Sequence, residues 1–256
     1  MIGRYELKFP VTAEQKQLVM AQARHALRPD IHGAGASYRI SSMYFDTEDL
    51  SAYWEKLDGE EVRRKYRLRY YSVDEGPSAR ARDAFMEIKH RIANVLFKER
   101  VRLTDDGANA ILQDPRQLTK LSTHVYKQQD HRSPIAHIQR VATECNLIGA
   151  NVISYLREAW EGTVDHRLRL TFDTKCHVYP PPYYLDVTSD RGIPLVSANA
   201  IIMEIKFDHA IPRWLRDIVS QLGLQLERIS KYATGINVSR RYDHFLRGPR
   251  PRTNAR

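Results

Sequence analysis

Cysteine is almost missing from this chain: Cys145 and Cys176 are the only two in 256 residues. Two distant thiols make neither a disulfide framework nor a cysteine-rich metal site, and a reduced, cytoplasmic compartment is the expectation. The ten histidines show no HExxH-type spacing, so zincin chemistry has no footing; single residues such as His90 and His166 read as surface or structural. Glycine-rich phosphate loops of either common type are absent, which excludes a P-loop or a Rossmann reading, and nothing resembles a nucleophile elbow. No apolar run approaches the roughly 20 residues that span a bilayer. The opening MIGRYELKFPVT lacks the charged-then-apolar order of a signal peptide. A soluble chain is expected, unless a partner tethers it to a membrane.

What is abundant is positive charge. Lys and Arg number 40 against 31 Asp and Glu, a formal charge of +9. Such an excess favours an anionic partner, whether nucleic acid, a phosphate compound or an acidic surface. No recognised nucleic-acid module is present, which argues against the first. With 42% hydrophobic and 28% charged residues, the chain reads as globular and long enough to bury a substantial core.

Local patterns place the elements. Arg4–Phe9 alternates as a strand that Pro10 is expected to end, and Thr12 with Gln15 reads as the cap of a helix running to about Leu27. Ser37–Phe45 is a strand; Asp46 and Thr47 cap a short helix, Glu48–Leu57, before a turn at Asp58-Gly59. Strands follow at Lys65–Val73, Phe85–Arg91 and Val95–Leu103, with a mobile loop expected over Asp74–Asp83. Helix and loop fill Asp105 to about Arg140, Thr104 being a capping candidate. Strands return at Asn151–Trp160, His166–Tyr179 and Ile201–Phe207, followed by helices from Pro212 and from Ser230. Strands in two batches with helices between and after them argue for an α+β fold with a mainly antiparallel sheet. Residues 1–240 read as one domain and 241–256 as a basic tail, disordered towards its end.

Alternation along a strand sends successive side chains to opposite faces. Lys65, Arg67 and Arg69 then share one face, as do Glu87 and Lys89; Lys98, Arg100 and Arg102; Tyr155 and Arg157; Arg167, Arg169, Thr171 and Asp173; Glu204 and Lys206; and Glu6 and Lys8. Opposite them stand Tyr66, Leu68 and Tyr70; Met86 and Ile88; Phe97, Val101 and Leu103, joined by Glu99; and Leu168, Leu170 and Phe172. Any one such face could simply be solvated, as antiparallel sheets often allow. The series is different, because an ordinary wet face mixes signs between cross-strand neighbours. Two unit charges ~8 Å apart repel by about 2 kcal/mol at an effective dielectric of ~20. Many such pairs call for a counter-charge, most simply a polyvalent anion or bound salt standing in for it. If the sheet closes, the cationic face becomes a lumen, wide enough for a linear polyphosphate or a nucleoside triphosphate laid lengthwise. Arg suits phosphate through its forked donors and Lys as a point charge. Glu87 and Glu204, in the echoed segments MEIK at 86–89 and 203–206, fit either as ligands for Mg²⁺ or Mn²⁺ on phosphate oxygens or as local partners of nearby cations. Tyr183 and Tyr184, beside Pro180–Pro182, read as a packed loop, with support of a nucleobase as the alternative.

Together the segments RYELKF (4–9), SSMYFDTEDLSAYWEKL (41–57), YRLRYY (66–71), MEIKHR (86–91), FKERV (97–101), SYLREAW (154–160), RLRLTFDT (167–174), MEIKF (203–207) and ISKYATG (229–235) resemble the VTC domain. This is the polyphosphate-polymerase domain of the triphosphate tunnel metalloenzyme (CYTH-like) group, and the matches span nearly the whole chain in order. The resemblance implies an eight-stranded antiparallel tunnel with helices outside. It also implies metal-dependent transfer, with Mn²⁺ or Mg²⁺, of the ATP γ-phosphoryl to a growing polyphosphate. By motif, Arg67, Arg69, Lys89, Arg157 and Arg169 would clamp the reacting phosphates. Lys8, Lys56, Lys98, Tyr155, Lys206, Ser230 and Lys231 would add contacts to ATP or polyphosphate, and Glu204, with Glu87, would hold the metal. A non-catalytic polyphosphate-binding module and an inorganic triphosphatase remain the alternatives. The hydrolytic tunnel enzymes begin with two Glu and a Lys at alternate positions; here Arg4 precedes Glu6 and Lys8, which favours the polymerase branch. Eukaryotic polymerases of this kind work in membrane assemblies with other domains, and the sequence shows neither a second domain nor a spanning helix.

Overall fold

The computed structural model describes residues 4–30, 37–72, 82–126, 132–181, 187, 191–197 and 199–247. Most of the loop expected at Asp74–Asp83, the pair Tyr183 and Tyr184, and the last residues of the expected tail lie outside them.

One antiparallel sheet dominates. Its path of eight strands runs β1 (Tyr5–Val11), β10 (Ile201–Phe207), β8 (Arg169–Tyr179), β7 (Ile148–Gly162), β3 (Tyr38–Asp46), β4 (Val62–Ser72), β5 (Arg82–Ile92) and β6 (Val95–Arg102), numbered in chain order. Two short strands hang off the path: β2 (Leu27–Pro29) on β7 and β9 (Ile193–Pro194) on β8. Among the described residues the two edge strands, β1 and β6, meet at one bridge, Arg4 with Leu96, made by two backbone hydrogen bonds of 3.2 Å. The sheet therefore curls into a tunnel wall with one stitched seam.

The helices explain why one face can stay polar. α1 (Ala13–Ala23) and α5 (Arg213–Gln221) cover one half of the outer face, packing Val19, Ala23, Leu215 and Ile218 on Phe9, Leu170, Phe172, Met203 and Ile205. α3 (Asp105–Gln113), a 3₁₀ helix (Pro115–Thr123) and α4 (Arg132–Glu144) cover the other half, over Met43, Phe45, Leu68, Met86, Ile88 and Val101. Burying side chains of this size contributes about 1.5–3 kcal/mol each, so the outer face anchors the fold. α6 (Lys231–Arg247) packs on the inner face instead, with Tyr232, Ala233 and Ile236 against Ile40, Tyr44, Ile153, Tyr155, Val178 and Ile202. Gly235 lets it lie close: a Cβ there would come within 2.8 Å of Ile153 Cδ1 and 3.0 Å of Asn151 Nδ2. α6 thus fills one end of the tunnel.

Several local expectations change. Pro10 does not end β1, which runs on to Val11; β1 is an edge strand, where a missing N–H is tolerated. The first helix stops at Ala23, not near Leu27, because Leu27–Pro29 pairs with β7; Thr12 and Gln15 do form a reciprocal capping box. The helix expected from Glu48 begins at Ser51 as α2 (Ser51–Leu57). Arg167 precedes β8 and pairs with Asp208 at 2.5 Å. Helix α6 continues to Arg247, through the first residues of the expected tail.

Asp46 locks α2 and α6 together. Its carboxylate accepts from the backbone N–H of Ala52 at 2.9 Å and of Tyr53 at 3.1 Å, and from the Tyr232 hydroxyl of α6. Asp46→Ala strands these buried donors and is expected to lower stability by about 2–3 kcal/mol, measured as a fall in the urea midpoint with an unchanged slope.

Candidate functional site

The alternation in each strand delivers the cationic residues to the inner face, and the register lines them up. Tyr44, Arg67, Glu87 and Arg100 stand in one cross-strand row over β3 to β6; Lys65, Lys89 and Lys98 form the next. On the far wall Glu204 lies between Lys8 and Thr171, and Lys206 between Glu6 and Arg169. The inner wall therefore carries Lys8, Lys65, Arg67, Arg69, Lys89, Lys98, Arg157, Arg169 and Lys206. Lys231 enters from the first turn of α6, and Glu6, Glu87, Asp173 and Glu204 are the carboxylates among them.

Two ion-pair nests organise the wall. In the first, Glu87 is 1% exposed. Its Oε2 accepts from Arg67 Nε at 2.8 Å and Nη2 at 2.6 Å, and its Oε1 lies 3.4 Å from Lys98 Nζ. Arg67 also donates to the Tyr44 hydroxyl at 3.1 Å, and Arg69 to the Tyr155 hydroxyl at 3.2 Å. Burial alone would raise the Glu87 carboxyl; the charges of Arg67, Arg69 and Lys98 outweigh it and hold the group well below the carboxylate range.

In the second, Arg157 forms a fork on Asp173, Nε to Oδ1 at 2.6 Å and Nη2 to Oδ2 at 2.7 Å, and reaches Glu204 Oε2 at 3.0 Å. Lys231 Nζ sits 2.6 Å from both Asp173 Oδ2 and Glu204 Oε1. A cation in a helix's first turn opposes the dipole, and these two carboxylates offset that. Lys206 takes Glu204 Oε2 at 2.8 Å, and Lys8 lies 3.5 Å from Oε1 and 2.9 Å from Glu6. Burial works against ionised Glu204, yet Lys206, Lys231, Lys8 and Arg157 hold its carboxyl well down. Burial pulls the Lys206 ammonium down to about 8 even with Glu204 beside it.

The remaining named residues sit at the edges of these nests. Lys89 is 3.2 Å from Glu6. Arg169 pairs with Asp30, which follows β2 and is buried. Lys56 lies in the last turn of α2, where its charge reaches Lys65. Ser230 Oγ precedes α6 and accepts from Lys65 Nζ at 2.8 Å. The inner wall thus brings together the phosphate- and metal-binding residues that the resemblance implied, with Lys56 at its margin. Lys65, Glu6 and Asp173 were on the alternating face but were not singled out; Asp30 carried no signal, since its partner is distant in sequence. The Thr171 hydroxyl, buried between Glu204 and Ala159 across the register, has no hydrogen-bond partner among the described residues.

Among the described residues no three His, Cys, Asp or Glu side chains group to hold a metal ion. Both Glu204 oxygens are instead engaged by cations. That donor set does not make a cage of its own. It fits a divalent ion carried in on phosphate oxygens, which needs only one or two carboxylates from the protein.

The nests separate structural cations from available ones. Lys98 is 45% exposed, whereas Arg157 is 9% and Asp173 0%. Asp173→Ala leaves Arg157 and Lys231 short of a buried partner and is expected to cost about 3–5 kcal/mol. Lys98→Ala is expected to stay within about 0.5 kcal/mol of the parent. Urea denaturation of the two variants side by side checks both.

Comparison with known proteins follows the same lines. The VTC domain family matches residues 3–240. Comparison with curated proteins finds no match. Among solved structures, HpAC1 from Hippeastrum, named as an adenylyl cyclase and described with a dominant triphosphatase activity, superposes with a TM-score of 0.53 at 13% identity over 93% of this chain and 96% of that one. PH1819 from Pyrococcus horikoshii OT3 gives 0.45 at 13% over 93% and 98%, and the mimivirus capping enzyme triphosphatase 0.35 at 9% over 86% and 88%. The likeness to HpAC1 is one of fold, the α+β triphosphate tunnel. With its sequence matched from residue 3 to residue 240, the chain belongs to the VTC domain family.

Proposed function

We propose that this chain binds a linear phosphoanhydride along its inner wall and transfers the γ-phosphoryl of ATP to the end of an inorganic polyphosphate chain. The observation that carries the reading is the convergence of Lys8, Arg67, Arg69, Lys89, Lys98, Arg157, Arg169 and Lys206 on one curled inner face, where they outnumber the carboxylates. Membership of the VTC domain family ties the chain to polyphosphate- or triphosphate-related chemistry.

Phosphoryl transfer asks a protein for positioning and charge stabilisation more than for covalent chemistry. In this reading a terminal oxygen of the acceptor attacks the γ-phosphorus, the bond from that phosphorus to the β,γ-bridging oxygen breaks, and ADP leaves with the electron pair. Arg67 and Arg157 are held by Glu87 and Asp173, so their guanidinium planes are oriented before the substrate arrives. Arg69, Lys89 and Arg169 complete the clamp, with the Tyr155 hydroxyl setting Arg69. Lys8, Lys98, Lys206, Ser230 and Lys231 extend the binding surface along the wall, and Lys56 adds charge at its margin. Glu204 would hold Mn²⁺ or Mg²⁺, which would supply charge neutralisation to the transferring group; Glu87, enclosed by Arg67 and Lys98, acts on the arginines instead. Among the described residues no helix is long and apolar enough to cross a membrane.

The test is incubation of the pure protein with ATP and Mn²⁺ or Mg²⁺, reading polyphosphate and ADP. Polyphosphate that lengthens with time is expected, with Glu204→Gln and Arg169→Ala each lowering the rate on the order of 100-fold. Orthophosphate from tripolyphosphate with no polymer would assign hydrolysis instead. Tight tripolyphosphate binding with neither product would leave a binding module.

A further inference from the structure

Three lysines stand side by side on adjoining strands. Lys65 of β4 is in register with Lys89 of β5, and Lys89 with Lys98 of β6. Two of them have a carboxylate: Lys89 has Glu6 at 3.2 Å, and Lys98 has Glu87 at 3.4 Å. Lys65 has none among the described residues. Its Nζ donates to Ser230 Oγ at 2.8 Å and lies 5.4 Å from the centre of the Tyr232 ring. The charged groups that act on it most strongly share its sign, Lys89 from β5, Lys8 from β1, Arg63 from its own strand and Lys56 from α2. The segment leading into α6 offers only the neutral Ser230 hydroxyl, and α6 itself the Tyr232 phenol, whose proton is given to Asp46. Lys8, Arg67, Arg69, Lys89, Lys98, Arg157, Arg169 and Lys206 each have a carboxylate within 4.0 Å; Lys65 is the gap among them.

We infer that Lys65 is a further anion-binding residue of the tunnel, receiving a phosphate oxygen in the space it shares with Lys89 and the Ser230 hydroxyl at the α6 end. The inference rests on the phosphate-binding reading of the same tunnel, and it adds a residue that the family resemblance did not carry over. Its chemistry has a signature. Burial, then Lys89, Lys8, Arg63 and Lys56, push the Lys65 ammonium down to about 7. Above that pH the free protein holds much of Lys65 as the neutral amine. A phosphate arriving beside it favours the charged form, so binding takes up a proton. The sign follows: between about pH 7 and the ordinary lysine range, affinity falls as pH rises, because the bound state holds the extra proton.

The experiment is calorimetric titration of the full chain with inorganic tripolyphosphate at pH 8, in two buffers of different ionisation enthalpy. It compares the parent with Lys65→Met and Lys65→Arg. Differences between variants cancel the ligand's own titration. Lys65→Met is expected to bind about tenfold more weakly or worse and to take up fewer protons than the parent, by most of one per site. Lys65→Arg is expected to regain most of the affinity without the uptake, because a guanidinium stays charged. If Lys65→Met matches the parent in affinity and uptake, Lys65 merely braces Ser230 and the inference is overturned, while the phosphate reading stands. Should the Met variant fail to fold by its thermal melt, Lys65→Arg decides alone: parental proton uptake in that variant overturns the inference. No binding of tripolyphosphate by the parent removes both.

Discussion

The inner wall depends on buried carboxylates that hold cations apart. Glu87, Asp173 and Glu204 are almost fully enclosed, and removing a charge of this size from water costs several kcal/mol unless partners repay it. Here each carboxylate is met by two or more cations, at distances from 2.6 Å to 3.5 Å in the Glu204 nest. The exchange works in both directions. Without Glu204, four cations from β1, β7, β10 and α6 would crowd one another; without those cations, Glu204 would not stay ionised. The fold of the tunnel and the charge of the tunnel are one problem with one solution.

That solution requires the apolar cores to lie elsewhere, and they do. Two helix layers cover the outside of the sheet, so the strands can give one whole face to charge. The third cluster, around α6, is the exception that defines the inside. It puts an apolar stopper at one end of a polar passage. It also brings Lys231 and Ser230 to the wall from a segment that shares no strand with it.

Much of this was legible in the residues. Period-two alternation in KYRLRYY and RLRLTFD sorts Arg67, Arg69, Arg169 and Asp173 onto one face without knowledge of any partner strand, and the series of motifs marked the family. What alternation leaves out is anything set by contacts distant in sequence. Asp173 shows on the right face, but its grip on Arg157 depends on the pairing of β7 with β8. The approach of Asp30 to Arg169 depends on β2 docking on β7, which converted the expected end of the first helix into strand. Pro10 misled for a related reason: whether a missing N–H matters is decided by which side of the strand is unpaired. The placement of α6 inside the sheet carries no local mark, because its apolar residues would suit an outer helix equally well.

The meeting of β1 and β6 at Arg4 and Leu96 gives the barrel an uneven girth strength. Elsewhere along the path neighbouring strands pair as antiparallel ladders, three of them with a register shift; among the described residues this line has two backbone hydrogen bonds, worth about 1–3 kcal/mol together. That line is also tied from the inside by charge, because Glu6 of β1 reaches Lys89 of β5 at 3.2 Å while it holds Lys8 of its own strand at 2.9 Å.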